Sequence, residues 1–223
     1  MRKKESKSII FDLDGTLVDS SESIIESIEK AFLMCNIQPL KPLNSNIIGP
    51  PLIEILKLLS GESDKVVLNL LAENFKQSYD ILGYQKTIVF SGINKMLNEL
   101  YESGYQLYIA TNKRTLPTKK IINYLGWDDL FQEIYSLDSF SPPVLSKSEI
   151  LAKIILIHNL SKKDVIYIGD LEDDRISAQV NNIGYIMVEW GYENKGVSEN
   201  TVNISSPKEL CIKLLKDKKM TRK

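Results

Sequence analysis

The sequence predicts an α/β fold: a doubly wound parallel sheet with a helical bundle inserted after the first strand. Three observations predict it. Short apolar runs at Ile9-Ile10-Phe11, Gln106 to Ala110 and Asp164 to Ile168 read as buried strands, and a helical pattern follows each. These runs all end in polar residues: Asp12 and Asp14, Thr111 and Asn112, and Gly169 and Asp170. From Ser20 to about Lys86 nothing resembles a strand. Strands alternating with helices make a parallel sheet covered on both faces, and such sheets bind ligands at the carboxyl ends of their strands. The polar strand ends therefore gather on one edge.

The elements follow in order. After Asp19-Ser20, Ile24, Ile25, Ile28, Ala31, Phe32 and Cys35 share one helical face. Ser20, Ser21 and Ser23 are candidate N-caps, with Glu26 as a capping-box partner of Ser23. Proline breaks the chain at Pro39, Pro42, Pro50 and Pro51. Leu52 to Ser60 is a short helix stopped by Gly61. Asp64 to Leu82 is a longer one, with Val67, Leu68, Leu71, Phe75 and Tyr79 on its apolar side. Ser91-Gly92 opens a helix from Ile93 to Ser103 that Gly104 ends. After the strand at Gln106, Pro117 to Leu125 is a helix, Glu133 to Ser136 a weak strand and Ser148 to His158 a helix. Glu172 to Asn182 is helical, Tyr185 to Val188 is the expected last core strand, and Pro207 to Lys216 is the closing helix before a frayed basic tail, Lys216 to Lys223. The predicted division is a core of residues 1–18 and 88–223 and a helical insert of residues 19–87.

The chain has 223 residues, 43% hydrophobic and 26% charged, as expected of an ordinary globular protein. Its 28 basic and 29 acidic residues leave a formal net charge of -1, which gives no reason to expect nucleic acid or a membrane as partner. The first residues, Met1 to Lys7, are basic, but no apolar signal region follows. No stretch approaches the ~20 apolar residues of a membrane helix. Cys35 and Cys211 are too few and too distant for a disulfide framework or a metal knuckle, so a cytoplasmic location is expected.

Asp12 and Asp14 alternate with Leu13, so their side chains leave an extended backbone on the same side. Gly15 then permits a sharp turn and close approach of a ligand to the backbone. One acid fits a turn or a helix cap; two at the end of a buried strand are costly without a cation. With Asp170, and with Glu172, Asp173 and Asp174 nearby, they form an acidic pocket that a hard divalent cation resolves. An all-oxygen site suits Mg²⁺. Thr111 and a lysine are then placed to hold a phosphoryl group. One carboxylate is free to attack phosphorus and the other to move protons.

Asp12-Leu13-Asp14-Gly15-Thr16 resembles the first motif of the haloacid-dehalogenase-like hydrolases, the aspartate-nucleophile phosphatases. Ala110-Thr111-Asn112 is similar to their second motif, and Gly169-Asp170 with Asp174 and Ala178 to their fourth. Ile48-Gly49-Pro50-Pro51-Leu52, Phe90-Ser91-Gly92-Ile93, Thr111-Asn112-Lys113 and Glu189-Trp190-Gly191-Tyr192 resemble the phosphoglycolate-phosphatase branch. The resemblance covers about residues 8 to 215. It implies a Rossmann-like core with a helical cap inserted after the first strand. It also implies a Mg²⁺-dependent phosphatase that hydrolyses a small phosphomonoester through an aspartyl phosphate.

The residue roles come from the same resemblance. Asp12 is the nucleophile, and Asp14 is the acid and then the base. Thr111 binds the phosphoryl oxygens, with Asn112, Lys113, Gly49 and Pro50 as further substrate contacts. The metal is held by Asp12, the Asp14 carbonyl and Asp170; Asp174 supports metal-bound water or orients Lys147. The third motif requires a lysine, often followed by proline. Lys147, at a helix start in Ser146-Lys147-Ser148, supplies it, while the prolines fall earlier at Pro142-Pro143. Lys113 is the rival. A sugar-phosphate mutase of the same superfamily and a non-catalytic phosphate-binding or regulatory protein are the alternative functions. His158, the single histidine, is expected to interact with a helix C-terminus rather than act as a base. Trp127 and Trp190 are expected to pack, while Trp190-Gly191-Tyr192, which follows the last strand, is also placed to line the site rim. Glu172 fits a helix N-terminus as well as a site.

Overall fold

The structure is a computed structural model that describes residues 7–192 and 201–220, with the backbone alone at 219 and 220. The basic start at residues 1–6 and the last three residues of the tail lie outside the described residues.

The central strand, β1 (Ser8–Phe11), is buried along its whole length. It is followed by β2 (Val18–Asp19), α1 (Ser21–Met34), α2 (Leu52–Ser60), α3 (Lys65–Tyr79), β3 (Ile88–Val89) and α4 (Ile93–Glu102). Then come β4 (Gln106–Thr111), α5 (Thr115–Tyr124), β5 (Glu133–Ser136), α6 (Lys147–Ile157) and β6 (Val165–Gly169). The chain closes with α7 (Glu172–Asn181), β7 (Gly184–Val188), β8 (Val202–Ile204) and α8 (Pro207–Met220).

One sheet has the order β5-β4-β1-β6-β7-β8, with every pair parallel. The predicted doubly wound α/β architecture is the observed one. β1 lies between β4 and β6, with Phe11 beside Ile109 on one side and Ile168 on the other. Alternate residues of β1 bury in opposite layers: Ile9 and Phe11 pack with α4 and α8, whereas Ile10 packs with α6 and α7. The winding reverses beside β1, which opens a crevice at the carboxyl ends of β1 and β6.

The helices between β2 and β3 share a second cluster, which Tyr192 joins from beyond β7. Ile28, Phe32, Leu56, Leu59, Leu71 and Phe75 pack together, from α1, α2 and α3. Gly61 ends α2 in the left-handed conformation, as its sequence position predicts. Asp64 caps α3 by accepting from the Val66 N–H.

Several local expectations are corrected. Tyr185 to Val188 is not the last core strand, because β8 adds to its edge. A two-residue ribbon, β2 with β3, closes the base of the insert. α5 starts two residues before Pro117, since proline is tolerated in a first helical turn. α8 runs to Met220, so the tail is helical well beyond Lys216. Ser23 and Glu26 form no capping box: Ser20 is the N-cap residue and uses its side chain elsewhere, and Glu26 pairs with Lys86 at 2.5 Å. His158 is the C-cap of α6, but its ring is held by aromatic neighbours, with the Tyr135 hydroxyl 2.9 Å from Nε2 and the Tyr108 ring centroid 4.7 Å away. Trp127 packs in the core.

Candidate active site

The chain passes Phe11 and continues the sheet by one bond, from the Asp12 N–H to the Ile168 carbonyl at 2.9 Å. It then turns at Gly15, whose φ of +83° is left-handed. A Cβ there would also run into the Asp170 carboxylate, so glycine is required twice over. β4 and β6 end level with this turn. Asp12, Thr111 and Asp170 are 3%, 2% and 1% exposed, and all stand at the same sheet edge.

Asp12, Asp170 and Asp174 each bring a carboxylate oxygen within 4.8 Å of the others. At an effective dielectric near 20, two such charges repel by about 3.5 kcal/mol. Lys147 enters this cluster from the first turn of α6. Its Nζ donates to Asp12 Oδ2 at 3.0 Å and to Asp174 Oδ1 at 2.6 Å, and it is 2% exposed. Burial alone would pull its ammonium down; the charges of Asp12 and Asp174 outweigh that and hold it above the ordinary value. Asp12 moves up to about 7: burial raises it, Lys147 opposes, and Asp174 adds to the rise. Asp170 is also raised, by burial first and then by Asp174 and Asp12, against the Tyr192 N–H.

The remaining oxygens are mostly fixed. Asp170 accepts from the Thr16 hydroxyl at 3.0 Å and the Tyr192 N–H at 2.8 Å. Asp174 accepts from the Tyr167 hydroxyl at 3.0 Å and the Leu171 N–H at 3.1 Å. Gly169 leaves room for it, since a Cβ there would meet the Asp174 carboxylate. Asp12 Oδ1 is the exception: it is buried and accepts no hydrogen bond among the described residues. An orphaned carboxylate oxygen among three acids fits a hard divalent cation, and the all-oxygen donor set suits Mg²⁺.

Asp14 stands apart from the three acids. Its oxygens accept from Lys113 Nζ at 3.0 and 3.1 Å and from the Ser20 hydroxyl. Its carboxylate is thereby committed, and only its carbonyl is left as the metal contact that the resemblance implies. Lys113 rises above its ordinary value: burial opposes, but Asp14 and Tyr79 prevail. Its Nζ also lies 4.5 Å from the centroid of the Tyr79 ring. The two candidate lysines therefore serve different acids, Lys147 the nucleophile candidate and Lys113 the acid/base candidate.

The same cleft is lined by Thr111, Asn112, Gly49 and Pro50. Asn112 Nδ2 donates to the Gly49 carbonyl at 2.9 Å and so ties the β4 end to the insert. Every predicted site residue thus reaches this cleft or the acid cluster behind it. Glu172 and Asp173 do not join the cluster: Glu172 opens α7 and pairs with Arg175 at 2.6 Å, and Asp173 is exposed. Sequence reasoning missed Ser20 and Tyr167 as support, and placed Tyr192 only at the site rim, within Trp190-Gly191-Tyr192. Tyr192 is the most connected: its hydroxyl accepts from the Ser20 N–H at 3.0 Å and donates to Asp19 Oδ1 at 3.2 Å, while its N–H holds Asp170. Its place after the last long strand, in Trp190-Gly191-Tyr192, was the available signal. Trp190 itself donates to the Thr16 carbonyl at 2.9 Å.

Residues 9–188 match the family described as haloacid dehalogenase-like hydrolase. The chain belongs to that family. Among its relatives, a 5'-nucleotidase of Pseudomonas aeruginosa is 27% identical over 93% of this chain and 91% of its own length. A phosphoglycolate phosphatase of Psychrobacter arcticus is 25% identical over 84% and 85%. A solved structure of a predicted phosphatase from Clostridium acetobutylicum superimposes with a TM-score of 0.81 at 28% identity, covering 95% of this chain and 99% of that one. With such relatives the chain is an enzyme of the phosphoric monoester hydrolase class within the haloacid dehalogenase-like family.

Proposed function

We propose that the protein is a Mg²⁺-dependent phosphatase that hydrolyses a small phosphomonoester through an aspartyl phosphate on Asp12. The observation that carries this reading is the lone oxygen Asp12 Oδ1, buried without a partner at the carboxyl end of β1 while Lys147 holds Oδ2. A carboxylate oriented by one oxygen and free at the other is set to act as a nucleophile. Asp12, Asp170 and the Asp14 carbonyl would hold Mg²⁺, with Asp174 steering Lys147. When bound, the ion supplies positive charge to the phosphoryl oxygens.

One oxygen of the Asp12 carboxylate forms a bond to phosphorus as the bond from phosphorus to the leaving oxygen breaks. Thr111 and the backbone at Asn112 hold the phosphoryl oxygens, and Lys147 fixes the attacking carboxylate. Asp14 delivers a proton to the leaving oxygen. Lys113 and Ser20 occupy its oxygens in this structure, so Lys113 turns from Asp14 to the phosphoryl group as the substrate enters, and the carboxylate so freed takes up from solvent the proton that it delivers. Asp14 then takes a proton from water, the water attacks phosphorus, and inorganic phosphate leaves with Asp12 restored. Residues 19–87 act as a cap domain over this chemistry, excluding bulk water. Gly49 and Pro50 are its contacts to the substrate.

The test is inorganic phosphate release from a panel of phosphomonoesters, with Mg²⁺ and with EDTA. Release with Mg²⁺ that stops in EDTA and returns on adding the ion is expected. Turnover indifferent to EDTA contradicts the metal assignment, and no release from any compound contradicts the hydrolase reading.

A further inference from the structure

The floor and the cap side of the cleft differ in kind. The cap lines it with Ile24, Ile48, Leu52, Ile55, Phe75 and Tyr79, and contributes no charged side chain. The cations on the cleft are already committed. Lys113 donates to both oxygens of Asp14, and Arg114 forms a two-pronged pair with Asp80 at 2.5 and 2.8 Å. When Lys113 leaves Asp14, the phosphoryl group claims it.

A phosphomonoester anchored on the polar floor therefore directs its leaving group toward an apolar wall. A carboxylate or second phosphate there would lose water and find no cation in exchange. An uncharged hydrocarbon part loses nothing and gains by leaving water. We infer that the protein selects phosphomonoesters of uncharged, largely apolar alcohols over those that carry a second anionic group. The inference rests on the phosphomonoesterase reading above, and it separates this chain's specificity from the substrate named in its phosphoglycolate phosphatase relatives.

The experiment compares kcat/KM for butyl phosphate and phosphoglycolate in Mg²⁺, two esters of ordinary aliphatic alcohols. A preference of at least about tenfold for butyl phosphate is expected, equivalent to about 1.4 kcal/mol. Parity, or a preference for phosphoglycolate, overturns the inference and leaves the hydrolase reading standing. Release from neither ester or any other phosphomonoester overturns both. Leu52→Arg places a cation on the wall at a half-buried position in the first turn of α2. The ratio should fall at least about fivefold in that variant; an unchanged ratio removes the wall from the specificity.

Discussion

Replacing Asp12 by asparagine should make the metal-free protein more stable at alkaline pH while it stops turnover. Asparagine keeps the shape of the side chain and removes its charge. In the folded protein burial pushes the Asp12 carboxyl up from 3.8 to about 7, with Lys147 only partly opposing. Between those two values the native state keeps a proton that the unfolded chain has released, so stability falls as pH rises. The contribution is fully present below pH 4 and is lost as pH passes about 7. At 1.36 kcal/mol for each tenfold change in proton affinity, the loss reaches about 4 kcal/mol by pH 8. Asp12→Asn does not incur it. The variant should match wild type near pH 4 and exceed it by about 4 kcal/mol at pH 8, a rise in melting midpoint of roughly 8–16 °C for a chain of this size. The assay is thermal or urea unfolding followed by far-UV circular dichroism in EDTA, from pH 4 to pH 8. A stability difference that does not change with pH would refute the reasoning.

Other substitutions probe the same cluster from different sides. Lys147→Ala leaves Asp12 and Asp174 without their buried cation and should cost about 3–5 kcal/mol in urea unfolding without metal. Added Mg²⁺ should recover part of that loss; stability equal to wild type in EDTA would show the ammonium to be dispensable. Tyr192→Phe deprives the buried Ser20 N–H of its acceptor and should cost about 1–3 kcal/mol, with kcat falling more than KM rises, because Ser20 also holds Asp14. Unchanged kcat would remove Tyr192 from the support of the acid/base carboxylate. Burial, with the Glu99 carboxylate beside it, pushes the Cys211 thiol up to about 12. Cys211 should therefore resist iodoacetamide at pH 8 until the protein unfolds, as read by peptide mass spectrometry; rapid native labelling would contradict the packing of α8.

Much of the fold was legible because each central strand is a short apolar run that ends at a candidate site residue. Ile9 to Phe11 could be read as a strand without knowing its neighbours, since both faces are buried. β2, β3 and β8 were not legible. Two or three residues carry no period, and β8 is a strand only because β7 offers it a free edge. The capping of α1 misled for a related reason. Ser20 looks like a cap locally, but its hydroxyl is drawn to Asp14 by the turn at Gly15.

Most of the candidate site was legible as residue types at strand ends; their partners were not. Lys147 meets Asp12 across 135 positions of sequence, and the sequence alone left it in competition with Lys113. Three-dimensional placement gives each lysine its own acid. Tyr167 supports Asp174 through a hydroxyl contact that no spacing announces, and the place of Tyr192 after β7 announced the site rim but not its hold on Asp170. The apolar wall of the cleft was visible only as helical faces, which propensity cannot divide between a core and a binding surface.

The central claim is that Asp12 carries the phosphoryl group. It is tested most directly by acid-quenching the enzyme during turnover of a hydrolysed phosphomonoester in Mg²⁺ and locating the phosphoryl group by peptide mass spectrometry. The account predicts a base-labile phosphoryl group on Asp12 in wild type and none in Asp12→Asn. Turnover that continues in Asp12→Asn, or a phosphoryl group found on another residue, would contradict it.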